Sequence, residues 1–262
     1  MSSVLVALIV FLSLFGGAML GMWVARRLAE HHLAKETQDA VKLGVGMVVA
    51  VSSLILGLMT ASVKGNFDAT SRDVQQFATY LITLDGTLRD YGPPAEPARA
   101  ALLGFTRHLL AASWQITDPL ADGRPKVVLD KPDPWAQVAF SGVIKAIRAL
   151  APGTPLEVDL KAEALERGRT LSVLRWTVIE ESVTTVPPIF TAVLIVWLTL
   201  IFMSFGLFAP VNRVSVVAFM LCAVCLAGAI FLILEMSSPF DGLIYVSPAS
   251  MEHALAQMMK PA

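Results

Sequence analysis

Four blocks of the sequence are long enough to cross a lipid bilayer as helices and are nearly free of charge: Ser3 to Ala25, Val41 to Val63, Pro188 to Ala209 and Val214 to Leu234. A hydrocarbon core of roughly 30 Å needs about 20 apolar residues in helical form. Apart from Lys42, one residue inside the edge of the second block, none holds Asp, Glu, Lys or Arg. A charge at the bilayer centre costs at least about 2.5 kcal/mol on insertion scales, so this pattern predicts four membrane spans. Composition agrees: 55% of the 262 residues are hydrophobic and only 16% charged, too apolar a balance for an ordinary water-soluble domain. The lipid bilayer is the first partner the chain predicts.

The first block has no Lys or Arg ahead of it and is longer than the core of a cleaved signal peptide, which predicts a retained span. Arg26 and Arg27 follow it, with Lys35 and Lys42 beyond. The bias of positive charge toward the inner side therefore places the loop 26 to 40 in the cytoplasm, with support from Arg213, and turns the long middle segment outward. Lys64, Arg72, Arg169 and Arg175 pull the other way. Cys222 and Cys225 lie inside the fourth span and read as small packing residues, not as a disulfide or a metal pair.

The pattern predicts an all-α fold: a four-transmembrane-helix protein with a helical-bundle insertion between spans two and three. Residues 1 to 63 hold spans one and two, 64 to 187 the insertion, 188 to 234 spans three and four, and 235 to 262 a turn and a short C-terminal helix. Phe67, Val74, Phe77, Leu81, Leu84, Leu88 and Tyr91 step by threes and fours, so span two should continue out of the membrane as one helix ending near Gly92-Pro93-Pro94. From Val41 to Tyr91 that is a rod of roughly 75 Å at 1.5 Å per residue. A second helix is expected from Glu96 to Ile116, with Leu102, Phe105, Leu109 and Ala112 on one face, and then a loop from Thr117 to Pro134. A short helix follows from Pro134 to Leu150, and a last one from Leu156 to Glu181 with Leu160, Leu171, Leu174 and Val178 on one seam.

No constellation of convergent polar groups points to an enzyme. His31 and His32 are adjacent, and His108 and His253 stand alone, with no second ligand one turn away. Neither a nucleophile elbow, a phosphate-cradling glycine loop nor a basic and aromatic nucleic-acid pattern is present, so no catalytic residue, metal, cofactor or nucleic-acid partner is expected. What remains belongs to the membrane. Gly17 and Gly21 have the GxxxG spacing that lets helix backbones approach, and Gly44, Gly46 and Gly57 thin span two. Packing within the chain is the first expectation for Gly17, Gly21 and Gly44, a subunit interface the second. Span two also carries Ser52, Ser53, Thr60 and Ser62, and Ser53, Gly57 and Thr60 share one face. That face is either a permissive pore wall in an oligomer or a set of hydroxyls bonded back to the preceding turn.

Glu235 stands against the end of span four, where a carboxylate opposes the helix dipole by roughly 0.3 to 1 kcal/mol unless a partner compensates. Arg175 and Arg72 are the candidate partners. Pro239, Phe240, Asp241 and Gly242 then predict a turn, and Glu235 is expected to anchor it. Leu243 to Val246 should pack against the insertion or a neighbouring subunit, ahead of a helix from Pro248 to Met259 with Ser247 as its N-cap.

The run from Phe205 through Asn212, the span after it, Phe231 to Met236, Pro239 to Ile244 and Val246-Ser247-Pro248 resemble the bacterial bestrophin-like membrane proteins. The layout of two spans, a helical insertion and two spans is similar over essentially the whole chain. Bestrophins are pentameric anion channels whose second helix lines the pore, so the resemblance implies a homo-oligomer in a bacterial inner membrane conducting small anions. It also implies a cytosolic insertion, against the charge reading, which rests on residues of this chain. Bestrophins bind calcium at a Pro-Phe-Gly stretch followed by acids; here Leu243, Ile244, Tyr245 and Val246 stand where the acids would, so no calcium clasp is expected. The alternative is a non-conducting membrane scaffold or sensor whose insertion binds a partner.

Overall fold

A computed structural model describes residues 3–28, 35–114, 134–183, 187–240 and 242–260. The described elements are helical: α1 (Ser3–Ala25), α2 (Lys35–Tyr91), a 3-10 turn (Pro93–Ala95), α3 (Glu96–Ser113), α4 (Pro134–Ala149), α5 (Pro155–Val183), α6 (Pro188–Phe208), α7 (Arg213–Met236) and α8 (Ala249–Met258). The helices α1, α6 and α7 and the first part of α2 are long and apolar enough to span a membrane. The expected loop, from Thr117 as far as Asp133, and Ile116 ahead of it lie outside the described residues; α3 is described to Ser113, with Trp114 closing its last turn.

The chain divides into two compact units. The membrane unit comprises residues 1–65 and 185–237, and the second unit residues 66–184 and 238–262.

In the membrane unit α1 packs along α6 and α7. Its buried positions, Val10, Leu14, Gly17, Ala18, Gly21 and Met22, follow the helical repeat and form one stripe. Apolar burial offers no drive between helices in lipid, so contact depends on how closely backbones can approach. Gly17 and Gly21 supply this closeness. A Cβ at Gly17 would stand 3.0 Å from the Thr199 carbonyl oxygen, and one at Gly21 would collide with the Met203 carbonyl. Gly206 on α6 answers from the other side, against the Ala18 carbonyl. Pro188 opens α6 at a position whose N–H has no helical partner in any case. Between α6 and α7, Pro210 stops one helix and Asn212 starts the next, its side chain accepting from the Ser215 N–H at 2.7 Å. Glu235, expected just beyond span four, lies inside the last turn of α7 and is buried.

The second unit has a water-type core. Val74, Phe77, Leu81, Leu84 and Leu88 of α2 are fully buried with Leu102, Phe105 and Leu109 of α3, Val143 and Ile147 of α4, and Leu171 and Val178 of α5. Leu160 and Leu174 of the expected seam are only partly buried. The side chain of Ala112 is outside the described set. Gly92, at φ 92°, ends α2 in the left-handed region that suits glycine, and Pro93 begins the 3-10 turn. Met251, Ala254 and Met258 seat α8 on this core. Its start differs from expectation: Pro248 is the N-cap, and the Ser247 hydroxyl accepts from the Ala249 N–H at 3.3 Å.

One polar network ties α8 to α2. Arg89 donates to the carbonyls of Gln257 and Met258 at 3.1 and 2.8 Å, placing a cation on the negative end of the α8 dipole. Buried Asp85 holds Arg89 at 2.6 Å and Arg99 of α3 at 3.1 Å. Burial disfavours the charge on Arg99, but the carboxylates of Asp85 and Glu96 together more than compensate and move its pKa above the ordinary value. Asp85→Ala removes the shared counter-charge. Because both guanidinium groups keep some contact with solvent, the loss should fall near the low end for a broken buried pair, about 3 kcal/mol. A denaturant melt of the purified protein should show this, with the C-terminal helix becoming sensitive to protease; an unchanged midpoint would refute the network's role.

Candidate functional site

The membrane part of α2 differs from the other three spans in how little its own chain covers it. In the most apolar 18-residue window of each span, 6% of α2 is buried inside the protomer, against 28% for α1, 33% for α6 and 22% for α7. A narrow stripe through Val45, Val49, Ser52 and Leu56 touches the rest of the membrane unit. The remaining faces are open. Successive helical residues turn by about 100°, so Lys42, Gly46, Ser53, Gly57, Thr60 and Lys64 line up on one of these open faces, and each is exposed. Between the lysines this line carries no charge, and its largest members are Thr60 and, at the edge shared with the packed stripe, Val49. Lys42 and Lys64 are separated by about 33 Å at 1.5 Å per residue, close to the thickness of the hydrocarbon core. Asp39 and Asp68 stand one turn further out at the two ends, so the innermost charge at each end is a cation.

Ser53 and Gly57 face outward, and nothing lies within 4 Å of a Cβ built on Gly57. Thr60 is also exposed, with its hydroxyl donating to the Leu56 carbonyl at 2.7 Å. That bond satisfies the proton inside the helix and leaves the oxygen's lone pairs outward. Ser52 points the other way. It is buried, its hydroxyl has no hydrogen-bond partner, and it borders a cavity of about 370 Å³ shared with Ser53, Phe202, Cys222 and Cys225. Both cysteines are unbridged, and both are exposed on the protomer, so they are not packing residues within this chain.

Gly44 needs a correction too. Gly17 and Gly21 meet α6 as described above, but a Cβ at Gly44 would have no neighbour within 4 Å, and the same holds at Gly46. The α2 glycines are therefore not packing positions within this chain. Gly206, which is one, has no GxxxG partner in its own helix, and only its place in the Phe205-Gly206-Leu207 run marks it.

Beyond α7, Phe240 is buried and meets Trp114 edge to face, ring centres 5.5 Å apart. The Trp114 indole N–H donates to the Val246 carbonyl at 2.6 Å, and the Val246 N–H to the Pro239 carbonyl at 2.8 Å, which closes the turn. Gly242 takes φ 99°, which a side chain would resist, while Asp241 lies outside the described residues. Of the apolar run that follows, Val246 packs into the core, whereas Leu243 and Tyr245 are exposed. Trp114 was not anticipated as the turn's partner, because no local signal links residues 132 positions apart.

The Bestrophin-like domain profile matches residues 12–251. The chain belongs to the bestrophin-like family. Its architecture is similar to crystal structures of a bacterial bestrophin homologue from Klebsiella pneumoniae carrying single mutations. One shares 15% identity, with 99% of this chain and 97% of that chain covered and a TM-score of 0.69. Another shares 14%, with 97% of each chain covered and a TM-score of 0.70. No curated protein matches the chain.

Among the described residues of this bestrophin-like protein, no group of three or more His, Cys, Asp or Glu side chains could hold a metal ion. His31 and His32 lie outside the described residues, and His108 is buried among core residues. An acid pair of another kind joins α2 to α5. The Glu181 carboxyl titrates above the usual carboxylate range because burial penalises its charge and Asp73 both repels it and shares a hydrogen bond with it; Arg72 offsets part of this. One Glu181 oxygen is buried without a hydrogen-bond partner. A raised acid pKa in the fold means that ionisation opposes folding. The cost is absent below the ordinary value of 4.5 and complete above the raised one. Glu181→Gln should therefore raise the melting temperature at pH 7, by about 1 to 3 °C on the scale of a fraction of a kcal/mol. The gain should vanish when melts are repeated near pH 4; an equal gain at both pH values would contradict this.

Proposed function

We propose that this bestrophin-like membrane protein is a homo-oligomeric anion channel in which copies of α2 stand around a common pore. The observation that carries this reading is the open membrane face of α2: small residues without fixed charge, bounded by Lys42 and Lys64, on a helix its own protomer barely covers. A ring of such helices gives each copy the neighbours it lacks, and closed rotational symmetry repeats the same contact around the axis. Rings of lysine near both ends favour anions at the mouths, while the uncharged middle lets an ion leave as readily as it enters. Ser53 and Thr60 would offer hydroxyl oxygens along a path otherwise lined by Gly46 and Gly57. Membership of the bestrophin-like family supports the same reading. Transport of an ion needs no bond-making residue, consistent with a chain in which no catalytic constellation is legible.

The scaffold alternative predicts a monomer or dimer with no aqueous path. Mass measurement of the purified protein in detergent separates the two, because one α2 from each of two subunits cannot enclose a pore. In planar bilayers the channel reading predicts anion-selective currents. Ser53→Phe and Thr60→Phe should each reduce conductance several-fold, and Lys64→Glu should shift the reversal potential toward cations. Silent bilayers from a well-folded oligomer would overturn the proposal.

A further inference from the structure

Charge in the second unit is distributed unevenly between α4 and α5. Helix α4 contains Lys145 and Arg148 but no Asp or Glu, and α5 has no acid between residues 167 and 179. Of the acids earlier in α5, Glu163 pairs with Arg167 and Glu166 with Arg169 at 3.3 Å. Where the two helices face each other lies a cavity of about 280 Å³ whose lining contains Lys145, Arg148 and Arg175 and no carboxylate.

Arg175 is 5% exposed, so its charge is carried at a place where water is largely excluded. Its guanidinium is engaged within the protein, so what it brings to the cavity wall is a fixed, partly desolvated positive charge. Lys145 and Arg148 are solvent-exposed and stand nearly one turn apart on α4, on the same face of the cavity. The Ser141 and Ser172 hydroxyls on the wall donate to Val138 and Gly168 carbonyls at 2.7 and 3.2 Å, which leaves the cations and the Gln137 amide as the donors of the wall. The apolar part of the wall is Ile144 and two aromatic rings. Phe140 is held by Phe105 with ring centres 5.2 Å apart, and Trp176 sits half-exposed at the rim with the Arg175 guanidinium 6.0 Å from its ring centre.

We propose that the cavity between α4 and α5 binds a small organic anion, its phosphate or carboxylate held by Lys145, Arg148 and Arg175 and its flat apolar stem against Phe140 and Trp176. A wall with three cations and no carboxylate favours an anion, and the exposed fork of Arg148 suits a two-oxygen group. The aromatic wall gives a ligand with a ring an advantage over a bare ion. The size excludes large ligands, since the volume falls just below the usual range of about 300 to 1,000 Å³ for drug-sized sites. Such a head group can belong to a soluble metabolite or to an anionic lipid.

The test uses the full-length protein in nanodiscs of zwitterionic lipid and calorimetric titration at fixed ionic strength, with phenyl phosphate as the probe. Saturable binding at one site per protomer is expected. Inorganic phosphate should bind about tenfold more weakly for want of the stem, and neutral benzyl alcohol should not compete. The double substitution Lys145→Gln with Arg148→Gln, at two exposed positions, should weaken phenyl phosphate at least about tenfold with an unchanged melting temperature. Arg175→Gln should abolish binding. Adding phosphatidylglycerol to the discs assigns the source: competition with phenyl phosphate marks a lipid head group as the occupant, and indifference marks a soluble anion. Absence of saturable binding, equal affinity for phenyl and inorganic phosphate, or full affinity in the double variant would each overturn the proposal.

Discussion

Helices surrounded by acyl chains gain little by burying apolar side chains against one another, so which of them associate is decided by how closely their backbones can come. In this protein that proximity is concentrated where Gly17 and Gly21 of α1 meet carbonyls of α6, and where Gly206 of α6 meets the Ala18 carbonyl. Two spans are thereby committed to each other, and α7 joins them through Ala223, Ala227 and Ile230. The fourth, the membrane part of α2, has its glycines at Gly44, Gly46 and Gly57, and each opens onto space that the protomer does not fill. Close backbone approach thus pairs α1 with α6, and the membrane part of α2 has no equivalent contact within the protomer.

The same helix then enters a setting governed by a different force. From Val74 to Tyr91 its buried positions repeat every three to four residues, and they join a core in which removal of apolar surface from water is the drive. There the polar residues have defined tasks: Asp85 joins two arginines and Arg89 fastens the C-terminal helix by its last carbonyls. A single helix thus carries a surface with few protomer contacts on one part and a densely packed seam on the other.

Much of this architecture was legible in the sequence because its signals are local. Charge-free runs ended by Pro210 and Asn212, or opened by Pro188, mark spans within a residue or two, and the spacing from Val74 to Leu88 marks a core-facing seam. Pairing was less legible. A glycine in a span reveals that the helix can be approached and is silent about what approaches it, which is why Gly44 resembled Gly21 although only Gly21 meets another helix. Trp114 holds the turn at Phe240 through a contact between distant parts of the chain, and the cationic cavity needs Lys145 and Arg175 from different helices. Glu235 read as lying outside α7 because hydropathy stops at Leu234, whereas the helix continues through Met236.

The central claim is that the small-residue face of α2 meets water in the assembled protein while its larger apolar faces do not. Accessibility of single cysteines to a membrane-impermeant charged thiol reagent, in a Cys222→Ser, Cys225→Ser background, tests it directly. Ser53→Cys, Gly57→Cys and Thr60→Cys should react from the aqueous phase, and Val51→Cys and Leu58→Cys should remain protected. Protection at all five positions, or reaction without helical periodicity, would contradict the account.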